Sequence, residues 1–265
     1  MPSTTTASSS LDHDPAPPDS QISHSSALTY WNDVSATVNG MLGGYPQISR
    51  IDLRGSANFL TKLRRQHPIT KELGDISVGD GEVKLPRLKK GVDCGAGIGR
   101  VTTGFLGKVC EVVDVVEPVE KFAREVRRLD AGKMGGGSVG EVFVTGLENW
   151  EPALEAEREY DLIWNQWCLG HLTDVQLVGY LKRCVTSLKE GEGWIVVKEN
   201  MSTDPNGRDI FDEEDSSVTR TDGKFRDMFR EAGLRIERTE LQMGFPKGLF
   251  PVRIYGLRPE SWSTG

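Results

Sequence analysis

The segment Asp93-Cys94-Gly95-Ala96-Gly97-Ile98-Gly99-Arg100 holds the residues best suited to bind a charged cofactor. It is a GxGxG turn that follows a short apolar run and opens a helix. Glycines at this spacing adopt positive φ and let the backbone approach a ligand closely. An acidic residue, Glu117, stands about 20 residues on, where a carboxylate meets a ribose diol in doubly wound folds. A nicotinamide fingerprint needs a small residue three positions after the second glycine, and Arg100 stands there instead. An arginine there reaches the carboxylate of an amino-acid-like ligand. S-adenosylmethionine (AdoMet) has such a carboxylate and NAD lacks it, so the loop, through Gly95, Gly97 and Arg100, reads as an AdoMet site. The ordinary alternative is a tight strand-to-helix turn with a structural arginine.

Further candidates stand at the ends of later strands. Glu117-Pro118-Val119 follows the second, and Gly146-Leu147-Glu148 follows the third, where Leu147 and the backbone would meet an adenine ring. Gln166 ends the fourth and would face the amino-acid portion of the cofactor. Singly, each has an ordinary reading as core or as a satisfied amide. Their placement at successive strand ends strengthens the joint one.

These residues need a frame. From Gly91 onward, short β-type runs alternate with helical patterns: Val92-Asp93, Val112–Val116, Val142–Val144, Tyr160–Trp167, Trp194–Lys198, Leu234–Leu241 and Val252–Leu257. Continuous apolar runs separated by helices indicate a parallel sheet covered on both faces. Thr173 or Asp174 caps a helix carrying Leu177, Leu181, Val185 and Leu188 on one face. Val119–Leu129 and Phe225–Ala232 are two more helices. The expected fold is α/β: a doubly wound, mostly parallel, Rossmann-like seven-stranded sheet whose last two strands form an antiparallel hairpin. Residues 28–65 form a helical extension acting as a lid, 66–90 a variable loop and 91–260 the core. Residues 1–27, poor in large apolar groups, read as a disordered tail.

Composition narrows the function. The net charge of −7 argues against nucleic acid as a partner. No apolar run is long enough to span a membrane, and no targeting signal is visible, which points to the cytoplasm, with the nucleus as a second location. The four cysteines form no CxxC pair and no metal-ligand spacing, so no metal is expected.

Several segments together carry a family likeness: Tyr30-Trp31, Gly40-Met41-Leu42-Gly43-Gly44-Tyr45, Asp93–Arg100, Ile163–Trp167, Gly170-His171-Leu172-Thr173-Asp174, Glu199-Asn200-Met201 and Asp215-Ser216-Ser217-Val218. From about Tyr30 to Arg258 the chain resembles the protein N-terminal methyltransferases, class I AdoMet enzymes that methylate the α-amine of proteins beginning Xaa-Pro-Lys or Xaa-Pro-Arg. The resemblance implies that Gly95, Arg100, Glu117, Leu147, Glu148 and Gln166 contact AdoMet. It implies a peptide channel lined by Trp31, Leu42, Trp167, His171, Asn200, Asp212, Asp215 and Ser217. Departures are Glu117 and Glu199 where relatives carry Asp, Glu148 where they carry Gln, and a longer insertion between Gln66 and Lys90.

Methyl transfer to an amine needs no metal but needs the amine neutral. A free α-amine titrates near pKa 7.7–8.0, so a base must accept its proton. Asp215 and His171 are the candidates, and Asn200 would orient the amine. Trp167 suits the rigid proline ring, and Asp212 and Asp215 suit the third-position cation. Glu213 and Glu214 read as solvated, and Trp150, Trp164 and Trp194 as packing. The alternatives are a small-molecule N-methyltransferase or a non-catalytic AdoMet-binding protein.

Overall fold

The computed structural model describes residues 16–66, 77–78, 82–83, 85–129, 132–152 and 159–262. The main sheet contains β1 (Leu88–Cys94), β2 (Cys110–Val116), β3 (Ser138–Phe143), β4 (Leu162–Gln166), β5 (Trp194–Asn200), β8 (Leu234–Leu241) and β9 (Val252–Pro259). A small hairpin, β6 (Ile210–Asp212) and β7 (Ser217–Thr219), stands apart from it. The sheet order is β8-β9-β5-β4-β1-β2-β3. The five strands from β5 to β3 are parallel, and β9 pairs antiparallel with both β5 and β8. The expected seven-stranded, doubly wound sheet with a terminal hairpin is thus present. Its order reverses between β1 and β4, so the turn leaving β1 opens at the switch point where such folds bind ligands.

The helices are α1 (His24–Asp33), α2 (Val38–Met41), α3 (Ser49–Arg65), α4 (Gly107–Val109), α5 (Glu120–Arg127), α6 (Asp174–Val185) and α7 (Asp222–Glu231). A π-helix, Thr102–Leu106, leads into α4. Thr173 caps α6 in a reciprocal capping box with Gln176, satisfying donors that a helix start leaves open. The helix ends at Val185, so Leu188, expected on its apolar face, lies beyond it and is buried beneath the sheet edge.

Alternate residues of each central strand feed opposite layers. Ile163, Ile195 and Val197 pack with Leu177, Leu181 and Phe229 of α6 and α7. Leu162, Trp164, Trp194 and Val196 pack with Phe59, Leu60 and Leu63 of α3. Each such apolar side chain contributes roughly 1.5–3 kcal/mol when fully buried. The N-terminal extension is therefore more than the lid expected from sequence: α1 and α2 lie over the site, whereas α3 is a layer of the core. The tail also differs from expectation. Residues 1–15 lie outside the described residues, but Pro18–Gln21 forms a 3-10 turn and α1 starts at His24. Asp19 accepts the Asp174 N–H at 3.0 Å, and Ser216 Oγ accepts the Ser23 N–H at 2.8 Å, so residues expected to be disordered are tied to the core. Most of the expected 66–90 loop lies outside the described residues. Among the described residues no helix is long and apolar enough to cross a membrane.

Arg220 fixes the segment after β4. It is fully buried, and Nε donates to Asp174 at 2.9 Å, Nη1 to the Leu169 carbonyl at 3.1 Å and Nη2 to the Leu172 carbonyl at 2.5 Å. These bonds brace the 3-10 turn Leu169–His171. Arg220→Ala would strand the Leu172 carbonyl, leave the Leu169 carbonyl with the Leu172 N–H alone, and leave Asp174 paired with Lys224 alone. The expected loss is about 3 kcal/mol in urea denaturation. A loss below 1 kcal/mol would show that the turn does not depend on it.

Candidate active site

Two cavities open at the carboxyl ends of the strands and meet at Trp31, Met41, Trp167 and His171. The first, about 1130 Å³ including its open mouth, is floored by the glycine loop. Gly95 and Gly97 take φ of 67° and 56°. A Cβ on Gly95 would lie 2.4 Å from Cys168 Cβ, and one on Gly97 2.6 Å from Met41 Sδ, so bare backbone faces the cavity. All nine residues expected at the cofactor line it: Gly95, Gly97, Arg100, Glu117, Pro118, Val119, Leu147, Glu148 and Gln166. His24, Met41 and Trp31, from the N-terminal extension, complete the lining.

The polar groups of this cavity are prearranged. Glu117 Oε2 accepts the Gly97 N–H at 2.7 Å and Oε1 the Val119 N–H at 2.8 Å. Burial pushes its carboxyl up to about 7, against those two donors. Asp93, at the end of β1, accepts a hydrogen bond from Thr102 at 2.6 Å, and burial pushes it up to about 6. Arg100 does not stand free as the sequence implied. Its Nη1 pairs with Asp52 of α3 at 2.7 Å, and Gln166 Nε2 donates to the same carboxylate at 2.9 and 3.0 Å. Sequence reading missed Asp52, which has no motif of its own.

The second cavity, about 1140 Å³ including its mouth, is lined by Tyr30, Trp31, Leu42, Trp167, His171, Asn200, Asp215, Ser217, Phe245 and Phe250, among others. All the expected channel and catalytic residues are there except one. Asp212, at the end of β6, is exposed and lines neither cavity; its carboxylate accepts the Glu214 N–H at 2.9 Å. Glu213 and Glu214 are exposed as expected, and Trp150, Trp164 and Trp194 are buried in packing. The aromatic Phe245 and Phe250, contributed by the β8–β9 connection, carried no signal in the sequence.

Two non-glycine residues hold left-handed backbone: Trp167 at the junction, φ 56°, and Ser216, between Asp215 and Ser217 of the second cavity, φ 54°. Such conformations cost about 1–3 kcal/mol each and persist where surroundings over-determine them. Glu199 Oε1 accepts the N–H groups of Cys168 and Leu169 at 2.9 Å each, and the Lys198 carbonyl accepts the Trp167 N–H at 3.1 Å. Burial pushes Glu199 up to about 7. The Trp167 ring faces the Arg100 guanidinium, 5.5 Å from its centroid, and the Phe245 ring at 6.3 Å.

Trp31 Nε1 donates to His171 Nε2 at 3.1 Å. An indole N–H only donates, so Nε2 is the bare nitrogen and the neutral imidazole carries its proton on Nδ1. Burial pushes this imidazole below its ordinary value, against the Asp215 carboxylate and the Ser216 backbone. Trp167 Nε1 and Asp215 Oδ1 are buried without a hydrogen-bond partner, and His171 Nδ1 is buried with no well-formed hydrogen bond, the Ser216 backbone making only a weak contact to the ring. All three belong to residues lining the second cavity.

This sheet order, with a glycine loop and acidic strand end at the switch point, defines the class I AdoMet methyltransferase architecture. A family model described as AdoMet-dependent proline di-methyltransferase matches residues 19–258. The chain is 42% identical over 241 residues to alpha N-terminal protein methyltransferase 1 of Schizosaccharomyces pombe, covering 90% of this chain and 97% of that protein. It is 38% identical over 232 residues to N-terminal Xaa-Pro-Lys N-methyltransferase 1 of Xenopus tropicalis, covering 88% and 93%. Among solved structures, a SAM-dependent methyltransferase from Leishmania major superposes with a TM-score of 0.71 at 33% identity, covering 88% of this chain and 82% of that one. The chain belongs to this AdoMet-dependent proline di-methyltransferase family.

The site yields a pH dependence. Glu117 lines the first cavity with its carboxyl held up near 7, and only its ionised form could accept both hydroxyls of a ribose diol there. Affinity for AdoMet is expected to fall as pH drops from about 8 to about 6, since protonation removes the charged acceptor. In Glu117→Gln, binding by calorimetry should be weak at every pH and lose that slope. An unchanged slope would assign it to another group.

Proposed function

We propose that this chain methylates the α-amine of proteins whose exposed N-terminus reads Xaa-Pro-Lys or Xaa-Pro-Arg, with the peptide in the second cavity and the cofactor in the first. The observation that carries the reading is the set of unpartnered polar atoms on the wall of the second cavity, two of them on residues shared with the first. Asp215 Oδ1 is a buried acceptor, and Trp167 Nε1 and His171 Nδ1 are buried donors. A peptide terminus offers the matching groups: an amine to donate and a backbone carbonyl to accept. Buried polar groups left unpaired cost free energy, so a ligand that pairs them gains it back on binding.

Bound AdoMet supplies a methyl group on a sulfonium. The remaining work falls to the protein. Asp215 accepts the proton of the α-ammonium and leaves a neutral amine lone pair for transfer. Sequence reading gave this role jointly to Asp215 and His171; here the Nε2 lone pair of His171 is taken by Trp31, and the base role passes to Asp215. His171 orients the terminus through its Nδ1–H. Asn200, at the end of β5 and in the lining of the same cavity, orients the amine through its side-chain oxygen. Trp167, Phe245 and Leu42 give a proline ring flat apolar walls. The third-position cation enters a negative field: Asp212, Glu214 and Asp215 all raise the Tyr30 hydroxyl's pKa, in addition to burial. Asp212 thus acts at long range rather than as a wall of the cavity.

A Ser-Pro-Lys-Arg peptide is expected to gain methyl mass on incubation with AdoMet, and its N-acetylated form to gain none, because the acetyl group removes the basic lone pair. Equal gain on both would exclude the α-amine. Trp31→Phe tests the tautomer. Without the indole donor the neutral imidazole loses a partner that imidazolium cannot accept, so the His171 pKa rises. Followed by NMR, the His171 imidazole should titrate at higher pH than in the wild type; an unmoved midpoint would detach Trp31 from His171.

A further inference from the structure

Below the first cavity lies a buried charge cluster that none of the roles above explains. Lys198 of β5 and Asp52 of α3 are both fully buried, and neither lines the cavity. The Lys198 ammonium donates to the Asp52 carboxylate, to the Asp52 carbonyl at 3.1 Å, to Ser56 Oγ at 3.0 Å and to Gln242 Oε1 at 2.9 Å. Acceptors fill this shell, as a charged ammonium requires. Gly55 admits the Gln242 amide: a Cβ there would lie 2.1 Å from Gln242 Oε1. The other oxygen of Asp52 takes Arg100 Nη1 at 2.7 Å.

The cluster in direct contact therefore holds two cations and one carboxylate. The remaining partners, Ser56, Gln166 and Gln242, are neutral. Asp93 feels the charge of Arg100 through space, but its hydrogen bond goes to Thr102. One positive charge is left over, and Arg100 alone among the three charged groups faces the cavity. Asp93 offsets this charge only through space, so the cation stays partly compensated in a desolvated site, which is costly, and an entering anion relieves that cost.

We propose that Lys198 is a positioning residue for the cofactor: by sharing the Asp52 carboxylate it keeps Arg100 only partly neutralised, and so sets the charge Arg100 presents to the carboxylate of AdoMet. This rests on the reading that Arg100 faces the amino-acid end of the cofactor. It makes α3 part of the cofactor site, although no atom of Asp52 or Lys198 lines the cavity. It also turns affinity into a charge count. The wild-type cluster carries one net positive charge, Lys198→Met carries none, and Asp52→Asn/Lys198→Met carries one again.

The test is calorimetry on the full chain with S-adenosylhomocysteine, which retains the carboxylate, and 5′-methylthioadenosine, which lacks the amino-acid end. Lys198→Met is expected to raise the Kd for S-adenosylhomocysteine by about tenfold, equivalent to about 1.4 kcal/mol. The Kd for 5′-methylthioadenosine should stay within about twofold, which also reports that the cleft is folded. The double variant should recover S-adenosylhomocysteine binding. Lys198→Gln, which keeps a donor to Asp52 without the charge, should match Lys198→Met and serves if the latter does not fold. Equal weakening for both ligands, or a double variant no better than the single, would overturn the proposal. Arg100→Gln separates the layers. If it leaves the ratio of the two affinities unchanged, the reading of Arg100 fails and the proposal with it. If it lowers the ratio while Lys198→Met does not, only the role of Lys198 fails.

Discussion

The carboxylate of Asp52 is the point on which this structure turns. An ionised carboxylate taken out of water costs several kcal/mol unless it is paired and fully hydrogen-bonded. Asp52 is paired from three directions, by Arg100 after the glycine loop, Gln166 at the end of β4 and Lys198 in β5. Its charge is held on by those cations, which pull its carboxyl below the ordinary range although burial pushes it up. Each partner comes from a different element, so satisfying this one group fixes how α3 lies on the sheet, which way the guanidinium points and how the Gln166 amide is turned. The apolar contacts of Phe59, Leu60 and Leu63 supply the bulk of the attraction between α3 and the sheet. Their attraction is non-directional; the carboxylate sets the register.

A second constraint works at the opposite wall. Trp167 and Ser216 sit in backbone conformations that side chains disfavour; the first lines both cavities and the second lies between two residues of the second cavity. The strain is held by fixed partners: Glu199 gathers the amides that follow Trp167, Arg220 braces the next turn, and Ser216 takes an amide from the N-terminal segment. Strain of this kind directs side chains to places that relaxed backbone would not put them. Here it presents an indole N–H and a carboxylate oxygen to the same space, both buried and without partners.

The N-terminal extension links these two walls. Trp31 of α1 fixes the imidazole of His171, Met41 of α2 caps the glycine loop, and α3 supplies Asp52. Lys121 of α5 holds the carbonyls of Asn32 and Val34 where α1 ends. One connected segment thus contributes to the walls of both cavities and to the core beneath them.

The sequence by itself determined the sheet and the cofactor loop. A parallel strand buried on both faces reads as an unbroken apolar run, and a polar residue where the run stops marks a strand end; Glu117 and Gln166 were placed this way, and Asn200 just past the fifth run. These are local signals, carried by neighbours along the chain. Other features were decided only by the tertiary structure. Asp52 and Lys198 lie in a helix and a strand whose patterns explain them without reference to each other, and their meeting depends on how two distant elements pack. Within the acidic run 212–215, nothing in the residue types separates Asp212 from Asp215; the turn of the β6–β7 hairpin leaves the first in solvent and buries an oxygen of the second. His171 was visible as a base, but its tautomer was set by an indole 140 residues away. Residue chemistry is local, whereas charge state and direction come from partners that only folding brings into contact.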